Sequence, residues 1–195
     1  MDKKKLRQRI AAAAAIAVLL AVTVWANVAG ARRDAERERL RGENASDWFA
    51  APFSMDLING GAFTRADLNR SRVTVINGWG LYCGPCVREL PELQALNEEY
   101  DPADLQIVTV IADYVACAYD EDELESARAV VKDGGITLPV MLADDSFTRQ
   151  VWPMLHDSLP GTWIVDSRGN LIRFVANSRS GEEWKEIFDS CLEVS

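Results

Sequence analysis

Two runs, 71–79 (SRVTVINGW) and 105–111 (LQIVTVI), constrain this chain more than any other feature. Both are β-branched and mostly apolar, without the alternation of a strand that keeps one wet face. They read as strands buried on both faces, an arrangement that calls for parallel pairing with helices over the sheet. The stretch between them supplies such a helix. From Cys83 to about Tyr100, the positions Cys86, Val87, Leu90, Leu93 and Leu96 recur at helical spacing, and Pro91 is expected to kink it.

The remaining segments extend the pattern. Short strands are expected at 53–58 and 62–63 around the turn Asn59-Gly60-Gly61, and a helix at 122–132 closed by Gly134-Gly135. A strand at 138–142, a short helix at 146–152 and a hairpin of 162–165 with 171–175 follow. The last helix, 181–191, gathers Trp184, Ile187, Phe188 and Cys191 on one face. The order β-α-β-α-(β-α)-β-β-α predicts an α/β fold with a mixed sheet flanked by helices.

Charge divides the chain. Residues 1–41 hold ten Lys/Arg against four Asp/Glu, whereas residues 42–195 hold eleven against twenty-six. An acidic bulk repels phosphates and argues against nucleic acid as a partner. One histidine and four cysteines leave little room for a zinc site, and no metal is expected.

Residues 1–9 form a basic tail, and Ile10 to Ala31 carry no charge for 22 residues. At ~1.5 Å per residue that run spans roughly 33 Å, the thickness of a bilayer core. It reads as a transmembrane anchor. The other reading is a signal peptide cut after Ala29-Gly30-Ala31, and the run exceeds the ~7–15 residues of a signal core. Five basic residues lie on each side, so the positive-inside count ties. The membrane potential opposes outward movement of the short cationic tail, which places the tail in the cytoplasm and the domain outside. Residues 32–43 read as a charged stalk, with i,i+3 pairs Asp34–Arg37, Glu36–Arg39 and Glu38–Arg41, and the folded domain is expected over 44–195. Asn44-Ala45-Ser46 fits a glycosylation acceptor pattern short enough to arise by chance.

The chemistry lies in WGLYCGPCVRELPEL, residues 79–93. Cys83 and Cys86, separated by Gly84 and Pro85, stand directly after a strand and at the start of a helix. Unpaired amides and the positive end of the helix dipole favour a thiolate there. Cys83 is therefore expected to have a lowered pKa and to be the attacking sulfur. Cys86, one turn further in, can resolve a mixed disulfide intramolecularly. Pro85 stiffens the loop and has no N–H to satisfy. A zinc ribbon would need a second ligand pair, which isolated Cys117, Cys191 and His156 do not make. The redox-active pair needs no other cofactor.

These residues resemble the thioredoxin superfamily, and within it the membrane-tethered group of TlpA, ResA and the CcmG-like thioredoxins of cytochrome c maturation. The resemblance rests on Asn77-x-Trp79, Cys83-Gly84-Pro85-Cys86, Arg88-Glu89-x-Pro91-x-Leu93 and Leu159-Pro160-Gly161-Thr162-Trp163-Ile164-Val165-Asp166-x-x-Gly169, and covers about residues 50–192. It implies a thioredoxin-like fold. It also implies a cis-proline at Pro160 beside the cysteines, a backbone at Leu159 that receives an extended client segment, and a role for Glu89 in tuning the thiols or relaying protons to Cys86. Tyr82 stands where the group has Trp, and Gly78 and Gly80 flank Trp79 where bulkier residues are common, which is expected to loosen the loop or reshape the docking surface. Cys117 and Cys191 are expected to lie too far apart to be joined.

The expected function is that of a membrane-anchored protein disulfide reductase in a bacterial envelope. Its client is an exported disulfide-containing protein, such as an apocytochrome c or a metallochaperone by resemblance, and a membrane thiol-disulfide donor restores its dithiol. Two alternatives stay open: a disulfide-forming oxidase of the same fold, and a non-catalytic client-binding module. Reducing and oxidising members of this chemistry differ by ~150 mV, about 7 kcal/mol. Peroxidase chemistry is disfavoured because no PxxxTxxC-like segment is present.

Overall fold

The computed structural model describes residues 3–111, 120–155 and 159–195, and the side chains within them other than those of 3–15, 17, 34 and 38. It divides into two compact units, Met1–Leu40 and Arg41–Ser195. The helix α1 spans Lys3–Ala50. In its first unit Arg39 and Glu36 form an exposed ion pair at 2.7 Å. Among the described residues no helix is long and apolar enough to cross a membrane.

The second unit is built on a five-stranded sheet. Its strands are β3 (Val73–Trp79), β4 (Leu105–Ile111), β5 (Val140–Leu142), β6 (Gly161–Asp166) and β7 (Leu171–Ala176), in the order β5-β4-β3-β6-β7. The first three run parallel, and β6 and β7 join them antiparallel. A separate hairpin of β1 (Ser54–Asp56) and β2 (Ala62–Thr64) reaches the sheet edge through Leu57, opposite Met141, and an Ile58 N–H donated to the Val140 carbonyl.

Strand periodicity sends alternate residues to two cores. Val73, Val75, Ile107 and Ile164 face one layer, made by α2 (Gly84–Glu99), α3 (Glu121–Asp133) and α5 (Gly181–Val194). Ile76, Val108, Val110, Trp163 and Val165 face the other, made by the hairpin, α4 (Asp145–Gln150) and the end of α1. Helix α2 continues through Pro91 to Glu99. The acidic run at 120–125 starts α3, where Asp120 accepts from the Glu123 N–H at 2.8 Å and so occupies an otherwise free helix amide.

The second layer takes in a helix end at a place where the sequence pattern predicts no element. Helix α1 continues to Ala50, and its last turns bury Ala45, Trp48 and Phe49, a stripe at i, i+3 and i+4. Trp48 and Phe49 each contribute roughly 1.5–3 kcal/mol on burial. Trp48 stacks on Phe53 with ring centroids 4.6 Å apart and donates its indole N–H to Ser146 Oγ at 2.9 Å. Ser46 Oγ accepts from the Leu171 N–H, so the acceptor pattern at Asn44-Ala45-Ser46 lies in packed helix. The turn between β6 and β7 closes on the same helix end. Gly169 has φ +88, and a Cβ there would run into the Phe49 carbonyl oxygen. Glycine is thus required both by conformation and by close approach.

Candidate active site

Strand β3 is buried along all seven residues and delivers the chain to the sheet edge at Trp79. The Cys83 N–H then donates to the Gly80 carbonyl at 3.1 Å, closing a tight turn into α2. Cys83 is the N-cap of that helix. Its Sγ accepts from the Cys86 N–H at 3.3 Å, and its carbonyl accepts from the Val87 N–H. The sulfur thus takes the place of a capping oxygen, and one orphan amide of the helix start is aimed at it. Pro85 lies in the first turn, where its missing N–H costs nothing.

Cys83 and Cys86 form a disulfide with Cα atoms 5.3 Å apart. Cys83 is partly exposed, Cys86 is fully buried, and Tyr82 stands 93% exposed beside them. The outer sulfur can therefore be approached from solvent and the inner one cannot. Gly84 is exposed, and the Arg88 guanidinium lies over it, 3.3 Å from where a Cβ would stand.

Trp79 takes a structural position. It is fully buried in the core under α2, and its indole N–H is 3.3 Å from Thr109 Oγ1 on β4. The glycine before it leaves no empty space. A Cβ at Gly78 would sit 3.0 Å from the Trp163 ring and 3.2 Å from the Gly161 carbonyl, so Trp163 already fills the space that a bulkier residue would use. This closure follows from the β3–β6 register, which sets Gly78 opposite Gly161.

The same register brings Pro160, one residue before β6, to the edge where β3 ends. The Leu159–Pro160 peptide bond is cis. Pro160 is buried and accepts from the Asn177 N–H at 2.9 Å, and Leu159 is partly buried. Cys191 is a buried free thiol whose pKa burial pushes up. Cys117 and His156 lie outside the described residues, and so does any relation of Cys117 to Cys191.

Glu89, one turn after Cys86 on α2, is only 3% exposed. Its Oε1 accepts from the Arg179 backbone N–H at 2.8 Å and from Trp184 Nε1 at 2.9 Å. Its Oε2 accepts from Asn77 Nδ2 at 3.2 Å. Burial raises the pKa of this carboxyl, and the three donors oppose the rise. A cleft of about 330 Å³ opens beside it, lined by Pro85, Arg88, Glu92 and the 178–180 loop. Sequence alone singles out Glu89 but not its holders. Arg179 serves through its backbone, which no side-chain pattern reveals, and Trp184 reads there as an apolar-face residue. The signal was the indole N–H, which needs a partner once buried. Among the described residues no group of three or more His, Cys, Asp or Glu side chains is placed to hold a metal.

The arrangement suits thiol-disulfide exchange: an accessible sulfur at a helix start, a covered sulfur one turn on, and a buried acid beyond. Comparison with known proteins agrees. The model of the AhpC/TSA family matches residues 46–174. A thiol-disulfide oxidoreductase ResA of Halalkalibacterium halodurans is 28% identical over 174 residues, covering 89% of this chain and 88% of that protein. A ResA of Bacillus cereus is 27% identical over 119 residues, 60% of each chain. The crystal structure of StoA from Bacillus subtilis shares the fold with a TM-score of 0.55 and 22% identity, over 70% of this chain and 95% of that one.

Proposed function

The chain belongs to the AhpC/TSA family, and on that premise we propose that this thiol-disulfide oxidoreductase is tethered to a bilayer and reduces disulfides of exported proteins. One observation carries the proposal: Cys83 Sγ is partly exposed and faces the Cys86 N–H at a helix start, while Cys86 is buried. Backbone dipoles there favour the Cys83 thiolate over the thiol.

In the reduced enzyme, the Cys83 thiolate attacks one sulfur of a client disulfide. The client S–S bond breaks, its other sulfur leaves as a thiolate, and a Cys83–client disulfide forms. Cys86 passes its proton to Glu89, whose raised pKa suits it to accept, and attacks Cys83 Sγ. The second client thiolate leaves, and the Cys83–Cys86 disulfide remains. The client has gained two electrons, and a membrane thiol-disulfide donor returns two to the enzyme. Leu159 and exposed Tyr82 border the place where the client chain docks. The 22 uncharged residues 10–31, flanked by a basic tail, support the tether, with the domain on the outer face of a bacterial inner membrane. The Gly84-Pro85 dipeptide and the resemblance carried by residues 77–93 and 159–169 favour reduction over oxidation, with apocytochrome c cysteines as the client class by that resemblance.

The test uses the full chain in native membranes. Cys86→Ala is expected to accumulate a mixed disulfide through Cys83, and alkylation of the reduced enzyme is expected to modify Cys83 first at neutral pH. A Cys83 no faster than a free peptide thiol refutes the mechanism. A potential near the oxidising extreme overturns the direction. Release of the chain from membranes by alkaline carbonate removes the tether.

A further inference from the structure

Next to Glu89 one buried side chain is only half satisfied. Asn77 on β3 donates from Nδ2 to Glu89 Oε2 at 3.2 Å and to Thr162 Oγ1 at 3.0 Å. Its Oδ1 is buried and has no hydrogen-bond partner among the described residues. The amide turns its whole donor edge toward Glu89 and Thr162 and leaves its acceptor edge without a donor. Buried polar atoms are seldom left so, and each one calls for a reason.

The reason lies in what Glu89 must do. The present arrangement suits the charged carboxylate, which accepts three hydrogen bonds. A proton arriving on Glu89 finds Oε1 closed, because the Arg179 N–H and the Trp184 indole already point at it at 2.8 and 2.9 Å. It settles on Oε2, the oxygen that faces Asn77. There the Nδ2 donor edge meets another donor. A half-turn of the amide about its Cβ–Cγ bond removes the conflict. Oδ1 then accepts from Glu89 Oε2–H and from Thr162 Oγ1–H, and Nδ2 moves to the side where Oδ1 now stands alone. Among the described residues no donor on that side holds Oδ1 in the present orientation.

We propose that Asn77 is a positioning residue whose side-chain amide turns over when Glu89 takes up a proton, so that the buried acid is hydrogen-bonded in both of its states. The inference rests on the reading of Glu89 as the proton acceptor of Cys86. The transfer balances as Cys86–SH and Glu89–COO⁻ giving Cys86–S⁻ and Glu89–COOH, with no change in oxidation state. The charged side chains that line the cleft beside Glu89 are Arg88 and Glu92 on its own helix and Arg179 before α5. From the other elements, β3, β6 and α5, come the neutral Asn77, Thr162 and Trp184.

The experiment is NMR of the full chain in detergent micelles, with ¹⁵N in Asn side chains and ¹³C in Glu. Asn77→Asp assigns the resonance. The Asn77 amide signals are expected to move with the same midpoint as the Glu89 carboxyl carbon. Glu89→Gln must direct its own NH₂ at Asn77, because Oε1 is needed by Arg179 and Trp184. It is expected to hold Asn77 in the low-pH position at every pH. In stopped-flow exchange, Asn77→Leu is expected to slow Cys86-dependent resolution about tenfold near neutral pH, and Asn77→Asp to move its pH midpoint upward. Cys83 alkylation should stay within about twofold in both, since the helix-start amides that favour its thiolate are untouched. Asn77 signals that ignore the Glu89 midpoint, or a Glu89→Gln variant that keeps the high-pH spectrum, overturn the proposal. A wild-type enzyme without exchange activity would instead remove the functional reading and leave the NMR result standing.

Discussion

Replacing Trp184 with Phe takes one donor from a buried carboxylate and keeps most of the packing. Trp184 is fully buried on α5, stacked on Phe188 with centroids 5.3 Å apart, and Phe can keep that stack. The lost bond is Nε1–H to Glu89 Oε1 at 2.9 Å. While Glu89 is charged, such a bond contributes about 1.5–3 kcal/mol, against about 0.5–1.5 kcal/mol once it is neutral. The smaller ring adds about 1 kcal/mol of lost packing at any pH. The expected destabilisation is therefore about 2.5–4 kcal/mol where Glu89 is ionised and about 1.5–2.5 kcal/mol where it is protonated.

The direction follows from proton linkage. Burial raises the pKa of folded Glu89 above its unfolded value. Between the two values the native state holds more protons than the unfolded one, so stability falls as pH rises through that window and is greatest below it. Removing a donor that favours the charged form lifts the folded value further, by about one pH unit for each 1.4 kcal/mol of preference lost. The variant should thus lose more stability than the wild type on going from pH 4.5 to 8. Urea unfolding of the oxidised full chain at both pH values measures it. In a Glu89→Gln background the pH dependence of the Trp184→Phe loss should vanish, which isolates the pair in a double-mutant cycle. An equal loss at the two pH values refutes the account of Glu89.

Gly169→Ala should lower stability by about 2–4 kcal/mol, since it combines a positive φ with a collision against Phe49. Gly60→Ala, at φ +90 in open space, should cost only about 1–2 kcal/mol, and equal urea midpoints would remove the contact between the β6–β7 turn and α1. Trp48→Ala empties an aromatic site between Phe49, Phe53 and Phe147 and should cost about 3–5 kcal/mol by the same assay. Arg179→Ala should leave the Glu89 carboxyl midpoint, read by ¹³C NMR, within about 0.5 pH unit, because the donor is the backbone N–H and the half-buried guanidinium is turned to the Asn177 and Ser178 carbonyls.

Much of the domain was legible where burial and period coincide. The runs at β3 and β4 are apolar on both faces and declare themselves without context, and the closing helix shows Trp184, Phe188 and Cys191 on one side. The last turns of α1 were not legible. Ala45, Trp48 and Phe49 do make an amphipathic stripe, but it is a turn and a half long and follows a charged segment that ends in Gly42. The space at Gly78 is hidden from the sequence for a different reason. A glycine beside a strand end reads as freedom, and only the pairing of Gly78 with Gly161 brings the Trp163 ring against it.

The surroundings of Glu89 mark where pattern reading stops and satisfaction arithmetic begins. A carboxylate three residues after a buried cysteine faces the core, and a buried carboxylate needs donors. A tryptophan on the apolar face of the last helix carries an N–H that needs an acceptor. Each demand is visible alone, and together they anticipate the Trp184–Glu89 bond that pins α5 to α2. The third donor, Asn77, sits in a strand that otherwise reads as mostly apolar, where an amide has no packing reason to be. On the proposal made above its presence there has a reason: with an apolar residue at 77, Oε1 would keep its two donors but the Oε2–H of the protonated acid would find no acceptor, and an amide, which can offer either edge, serves both states.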